Sequence, residues 1–294
     1  ELTCLPQNIS SLVVYYNEDL FRAAALPLPS DDWTWDDFVA VARVLTQDHD
    51  GDGVVDQYGL GVEPSLYRLA PFIWMNGGPL VDDEERPSRL TLSRPPSLAA
   101  LEWFVALRQE HGVAPGRTEE VALDSESRFL AGTVAMYLNS RRGTPTYRTI
   151  DGFTWDVAPL PRGANFTTVL HSDAFCISRA SEHKEAAWSL IEFASSREGQ
   201  TILAASGRTV PSLRTVAESP AFLSPGLPPA RSYVFLDSAA VARPVPVVST
   251  WEEIERVAGD EIARAFYGEI SATTAAALAV ERTREYFVLA AHPR

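Results

Sequence analysis

The sequence predicts an α/β fold, and three features lead to that prediction. Thr133–Leu138 is a short apolar run between Gly132 and the polar pair Asn139–Ser140, which is typical of a buried strand. From Phe153 to Val157 apolar and polar residues alternate, which indicates a second strand. Other stretches carry apolar residues at the i, i+3, i+4, i+7 spacing of amphipathic helices.

The composition is that of an acidic globular protein. The chain has 294 residues, which is long for a single domain. Of these residues 46% are hydrophobic and 22% are charged. Because 25 Lys and Arg stand against 39 Asp and Glu, the formal net charge is −14, which disfavours nucleic acid or an anionic membrane as the partner. No apolar run reaches the ~20 residues that a membrane helix requires.

An extended segment opens the chain, and a strand over Ser11–Tyr16 follows it. A helix then begins at Thr34, with Asp37 in the reciprocal position of a capping box. Trp33 and Trp35 flank this start and are expected to pack rather than to bind a ligand. The buried stripe of the helix is predicted to consist of Phe38, Val41, Ala42 and Leu45.

The stretch over residues 48–59 has part of the pattern of a calcium-binding loop. Carboxylates stand at positions 1, 3, 5 and 9 of that pattern, but Gly59 occupies position 12, where an acidic residue is required. The candidate ligands are Asp48, Asp50, Asp52 and Asp56. The alternative is an Asx-rich turn. No metal or cofactor is predicted to be required.

The remaining elements follow from periodicity and from turn residues. The stretch from Ser219 to Pro246 is rich in proline and poor in periodicity, and it is predicted to be linker-like. Helices are predicted over Leu98–His111, Lys184–Ser195 and Glu269–Leu289 and from Trp251 onward, and a strand over Ala174–Ile177. In the predicted helix Lys184–Ser195, the buried stripe is expected to consist of Ala187, Leu190, Ile191 and Ala194.

The polar loop Asn139–Arg142 follows the first predicted strand, and Pro145–Ile150 after it has room for a turn or two of helix. Open α/β sheets bind ligands beyond the carboxyl ends of their strands. Arg141 and Arg142 are therefore predicted to lie at the mouth of a ligand cleft. The alternative is that they form surface ion pairs.

His171, Ser172 and Asp173 invite comparison with a hydrolase triad. Neighbouring residues of an extended segment point to opposite faces, however, and the chain has no G-x-S-x-G elbow. Hydrogen bonding at a hinge is the expected role of these residues.

Four stretches resemble, in order, the extracellular solute-binding proteins of sugar ABC importers. They are VYYNEDLF at Val14–Phe21, TWDDF to DQYGLG at Thr34–Gly61, the F-x-x-G-x-x-A-M-Y-x-N and FTWDVAPLP motifs within Phe129–Pro161, and AAWSLIEFASSREGQ at Ala186–Gln200. The resemblance runs through essentially the whole chain. It implies a two-lobed, type II periplasmic-binding-protein-like fold whose first lobe is incomplete, because the match begins near Thr3–Pro6.

The resemblance also implies a division of the chain. Residues 11–170 and 245–294 would form the second lobe, and residues 1–10 and 171–244 the remnant of the first. A remnant without its opening strands is expected to expose apolar surface.

The resemblance assigns ligand contacts to particular positions. Tyr67 matches a stacking tyrosine of the family, and Trp251 lies near a stacking tryptophan. For Trp74 the alternative is that it faces the core. Polar residues at the two crossings between lobes would face the ligand, although ordinary polar loops are the alternative. The predicted contacts are Asn8, Ser10, Tyr67, Asn139, Arg141, Arg142, His171, Asp173 and Trp251.

The function implied is that of a monomeric receptor that binds a sugar or sugar derivative and delivers it to an ABC permease. It would be an extracytoplasmic protein or lipoprotein and not an enzyme. The alternatives are a hydrolase that uses Glu252 and Glu253 with Asp173, and a fragment that does not bind. Arg141, Arg142 and Arg208 leave open whether the sugar is neutral or anionic.

Cys4 and Cys176 are the only cysteines. By resemblance, their strands run antiparallel where the chain crosses between lobes, with the two residues equally far from the crossing points. A disulfide is one outcome, and two unrelated buried thiols are the other. A shift of the strand register by one residue would turn one side chain to the opposite face of the strand.

Overall fold

The computed structural model describes residues 4–291; Thr3 and the outer ends of the predicted ranges 1–10 and 245–294 lie outside these residues. The strands are β1 Cys4–Pro6, β2 Asn8–Ile9, β3 Leu12–Asn17, β4 Tyr58–Gly61, β5 Val134–Ser140, β6 Trp155–Ala158, β7 Thr168–Leu170, β8 Ala174–Cys176, β9 Val210–Pro211 and β10 Ala242–Pro244. The helices are α1 Glu18–Ala23, α2 Trp35–Val44, α3 Leu66–Met75, α4 Pro95–Gln109, α5 Arg117–Ala122, α6 Ser125–Leu130, α7 Thr144–Tyr147, α8 Lys184–Ser195, α9 Arg197–Ala205, α10 Arg214–Ala217, α11 Pro220–Leu223, α12 Tyr233–Ala240, α13 Trp251–Phe266, α14 Ala272–Arg282 and α15 Arg284–Ala291. Within this part of the chain, no helix combines the length and apolarity needed to cross a bilayer.

The central sheet has the strand order β4-β5-β3-β6, with β3 antiparallel to both neighbours and β4 parallel to β5. The predicted strands are confirmed, but β5 runs two residues further than expected. Asn139 pairs with Val13 and Ser140 with Leu12, so these two polar residues belong to the strand and not to the loop. Pairing with β3 extends β5, and a single strand's apolar pattern cannot reveal that.

Both faces of the sheet are buried. Because successive side chains of a strand point to opposite faces, Val14 and Tyr16 enter one apolar cluster while Val13 and Tyr15 enter another. The first cluster is packed by helices α2, α3, α4, α13 and α14, and the second by residues of α9 to α12.

The segment 219–246 is not a linker, and that prediction is wrong. It forms α11, α12 and β10, and β10 pairs in parallel with β7. Phe222 and Phe235 are fully buried in the second cluster. The helices of this segment are separated by prolines and are too short to show a helical repeat of apolar residues. Only their packing on the sheet reveals them. The division of the chain into lobes at residues 10, 170 and 245 remains a prediction.

Short paired strands lie where the chain approaches and leaves the central sheet. β1 pairs antiparallel with β8, and the register places Cys4 opposite Cys176. These cysteines form a disulfide, with Cα atoms 4.4 Å apart. Further along, Ser10 and His171 exchange backbone hydrogen bonds. The antiparallel register is confirmed, and of the two alternatives the disulfide is the one formed.

Helix α8 begins and ends where the sequence predicts, but part of its predicted stripe is wrong. Ile191 is buried, whereas Leu190 is 68% exposed. Trp188 and Phe193 are about half exposed as well. Ile202, on the next helix α9, is also exposed. The apolar surface expected for this segment is therefore present.

The start of α2 follows the predicted capping box. The Thr34 hydroxyl accepts a hydrogen bond from the Asp37 N–H, and the Asp37 carboxylate accepts one from the Thr34 N–H. Trp33 is buried, and the ring of Trp35 stacks on Trp103 with centroids 4.3 Å apart. Packing roles for both tryptophans are confirmed.

Replacing Thr34 with alanine is expected to destabilise the protein by about 1 kcal/mol, because the first turn of α2 loses its side-chain acceptor. Urea denaturation followed by circular dichroism measures the effect. Thr34→Ser keeps the hydroxyl and should retain most of the stability. Equal stability of the alanine variant and the unaltered protein would contradict the assigned cap.

Candidate ligand-binding cleft

A cleft of about 660 Å³ lies where several elements end beside one another. Its walls come from the carboxyl end of β5, the first turns of α3 and α13, the end of β7 and the loop after α9. This volume is within the range of small-molecule sites, ~300–1,000 Å³.

One wall of the cleft is aromatic. Tyr67 stands in the first turn of α3, which Ser65 caps, and Trp251 is the first residue of α13. The ring of His171, at the end of β7, lies 6.1 Å from that of Tyr67. Burial raises the pKa of the Tyr67 hydroxyl further above the physiological range. Rings of this kind offer flat apolar surface with hydrogen-bonding groups at the edge.

A second set of lining residues is polar and is held by a chain of hydrogen bonds. Asn139 Nδ2 donates to the Tyr147 hydroxyl at 2.6 Å, and that hydroxyl donates to Glu126 Oε1 at 2.7 Å. Tyr137 donates to Glu63 at 3.3 Å. Because buried neighbours fix these side chains, the cleft presents amide and carboxylate oxygens in a defined arrangement.

The cleft also contains charged groups with different partners. Glu63 pairs with Arg68 at 2.8 Å. Trp251 Nε1 donates to Glu255 at 3.2 Å, and burial raises the pKa of the Glu255 carboxyl. Arg142 and Arg208 are exposed along the cleft, and neither forms an ion pair within residues 4–291. Two guanidinium groups are thus available to a ligand.

Arg141 lies elsewhere, and its predicted position at the cleft mouth is wrong. It is fully buried, and its Nε donates to the Gly207 carbonyl at 2.8 Å. A 3₁₀ turn over residues 141–143 follows β5 directly, and it directs Arg141 into the second apolar cluster while Arg142 faces the cleft.

Only some of the residues predicted to contact the ligand line the cleft. His171 borders it, as do Tyr67, Asn139, Arg142 and Trp251. Asn8 of β2 and Ser10 after it are buried and do not line the cleft, and Asn8 Nδ2 donates to the Asp173 carboxylate at 3.0 Å. That bond holds two segments 165 residues apart in sequence, which is a structural role. Ligand contact by any of these residues remains a prediction.

Sequence reasoning missed several side chains of the cleft: Glu63, Arg68, Glu126, Tyr137 and Glu255. Two of them had a local signal. Arg68 directly follows Tyr67, and Glu255 lies one helical turn after Trp251. The others come from separate segments, and only the tertiary structure places them together.

The acidic loop forms a separate cluster on the surface. Carboxylate oxygens of Asp48, Asp50 and Asp56 lie within 4.8 Å of one another, while Asp52 accepts a hydrogen bond from the Val54 N–H. Asp48 accepts from the N–H groups of Gly51 and Gly53, and these bonds lower its pKa. This is the geometry of an Asx-rich turn, and calcium binding stays a prediction.

Comparison with known proteins gives a consistent result. The family model described as bacterial extracellular solute-binding protein matches residues 1–229. Putative binding proteins of Brucella abortus and Brucella suis are 22% identical over 271 residues. The match covers 90% of this chain and 63% of those proteins, so the chain spans less than two thirds of their length.

Solved structures show the same fold. An ABC substrate-binding protein of Listeria monocytogenes in complex with cycloalternan has a TM-score of 0.88 at 21% identity, over 97% of this chain and 72% of that one. Maltose-bound MalE3 of T. maritima has a TM-score of 0.78 at 20% identity, with the same coverage. The predicted α/β fold of the two-lobed solute-binding type is confirmed. Incompleteness of the first lobe remains a prediction.

Proposed function

Because the chain belongs to the bacterial extracellular solute-binding proteins, we propose that it is the substrate-binding component of an ABC importer for carbohydrate. The observation that supports this proposal is the composition of the cleft. Tyr67 and Trp251 offer flat surfaces for the apolar face of a sugar ring, and Asn139, Glu126 and Arg142 offer partners for its hydroxyls.

The proposed mechanism is closure around the ligand. A sugar that contacts both sides of the cleft only in the closed state shifts the open–closed equilibrium by its difference in binding free energy. The hinge would lie at the paired segments around Ser10 and His171, because the chain approaches and leaves the central sheet there. The closed form would then be the one that a membrane permease recognises.

The proposal includes a location outside the cytoplasm, as a free or lipid-anchored monomer. The Cys4–Cys176 disulfide supports this location, because such bonds persist in oxidising compartments. The family description as extracellular supports it too.

Hydrolysis is not proposed, because the predicted carboxylates do not converge. Glu252 borders a neighbouring groove, Glu253 is exposed to solvent, and Asp173 accepts the Asn8 amide. The family and the compared structures are those of binding proteins.

Isothermal titration calorimetry against a panel of sugars tests the proposal. The panel should contain neutral maltooligosaccharides and acidic sugars, because Arg142 and Arg208 are free to pair with an anionic group. We expect saturable binding of at least one member, with no product after overnight incubation. Product formation would favour the hydrolase, and a folded chain that binds no carbohydrate would contradict the proposal.

A further inference from the structure

Arg141 is a buried cation surrounded by neutral groups. Its side chain is 0% exposed, and its guanidinium carbon lies 4.6 Å from the ring centroid of Phe222 and 5.0 Å from that of Phe235. Nε donates to the Gly207 carbonyl at 2.8 Å, and Nη1 to the Ser232 hydroxyl at 3.1 Å. Within residues 4–291 no carboxylate forms an ion pair with it.

A second guanidinium lies against the same backbone. A side-chain carbon at Gly207 would collide with Nη1 of Arg148. Nε of Arg148 donates to the Pro228 carbonyl at 2.8 Å. In the described chain the buried Nη2 atoms of both Arg141 and Arg148 lack a hydrogen-bond acceptor. Two cationic donors are therefore unpaired next to one glycine.

This arrangement is unfavourable without a counter-charge. Removing a guanidinium from water costs several kcal/mol unless an anion or a full set of acceptors replaces the water. Burial, together with the charge of Arg148, lowers the pKa of Arg141 to about 10, so the group is still cationic at neutral pH. Aromatic rings compensate part of the charge, but they leave the Nη2 donors unpaired.

We propose that a small inorganic anion binds at the Nη2 groups of Arg141 and Arg148, beside Gly207. A monatomic anion such as chloride is the candidate, because it accepts several N–H donors and is the smallest ion that would supply the missing charge. Arg148 as a residue is only partly buried, although its Nη2 atom is buried. The site is distinct from the cleft, although Gly207 immediately precedes the cleft residue Arg208.

The first test measures the melting temperature at constant ionic strength while sodium chloride replaces sodium gluconate. Above the dissociation constant, we expect a rise of about 3 °C for each tenfold increase in chloride. Crystals soaked in sodium bromide should show an anomalous peak within hydrogen-bond distance of Arg141 Nη2. Identical melting in chloride and gluconate, or a bromide-soaked crystal without that peak, would overturn the proposal.

Variants separate a specific site from a general salt effect. Arg141→Met removes the buried charge with little change in volume, and it should melt at the same temperature in both salts. Arg214→Gln removes a charge that is 88% exposed, and it should keep the full chloride response. Should Arg141→Met fail to fold, Arg148→Gln serves instead, with a smaller response expected. A chloride response in Arg141→Met, or an undiminished response in Arg148→Gln, would contradict the assignment.

Discussion

Alanine at Trp251 is expected to weaken carbohydrate binding by about 2–3 kcal/mol, a factor of roughly 30 to 150 in Kd. The indole lines the cleft, and its Nε1 donates to Glu255. The substitution therefore removes a stacking surface and leaves the Glu255 carboxylate without that donor. Titration calorimetry with the tightest-binding sugar of the panel measures the loss. Tyr67→Ala should have a similar effect, because it removes the neighbouring ring.

The matched control is Trp188→Ala. Trp188 is 46% exposed on α8, so its removal also deletes an indole but leaves the cleft unchanged. Its sugar affinity should equal that of the unaltered protein. If Trp251→Ala keeps normal affinity and a normal melting curve, Trp251 is not part of the binding surface and the site must be reassigned.

Removing the disulfide by the double substitution Cys4→Ser and Cys176→Ser is expected to lower the free energy of unfolding by about 5 kcal/mol. The bridge joins residues 172 apart in sequence, and a loop of that length restricts the unfolded chain strongly. It also ties β1 to β8, two strands of three residues whose own pairing is weak. Urea denaturation of the variant and of the unaltered protein gives the difference.

Reduction provides an independent control for this prediction. The unaltered protein in excess dithiothreitol should unfold at the same urea concentration as the double variant, which in turn should not respond to dithiothreitol. Two free thiols titrated in the unreduced, unfolded protein would contradict the bridge itself.

Local patterns in the sequence were sufficient for the parts of the fold whose signals lie within one segment. The apolar run before Asn139 predicts β5, and Thr34 with Asp37 predicts the start of α2. Helix α8 has the predicted bounds Lys184–Ser195. In each case the determining interactions act between residues a few positions apart, so periodicity and capping suffice.

The tertiary structure alone decided which polar residues meet. Arg141 and Arg142 are adjacent and chemically identical, yet one is buried and the other borders the cleft. The acceptors that hold Arg141, Gly207 and Ser232, are 66 and 91 residues away in sequence. Likewise the short helices between residues 219 and 246 form because Phe222 and Phe235 pack on the sheet. A local pattern specifies which face of an element is apolar, but the partner of a buried side chain depends on how distant segments pack together.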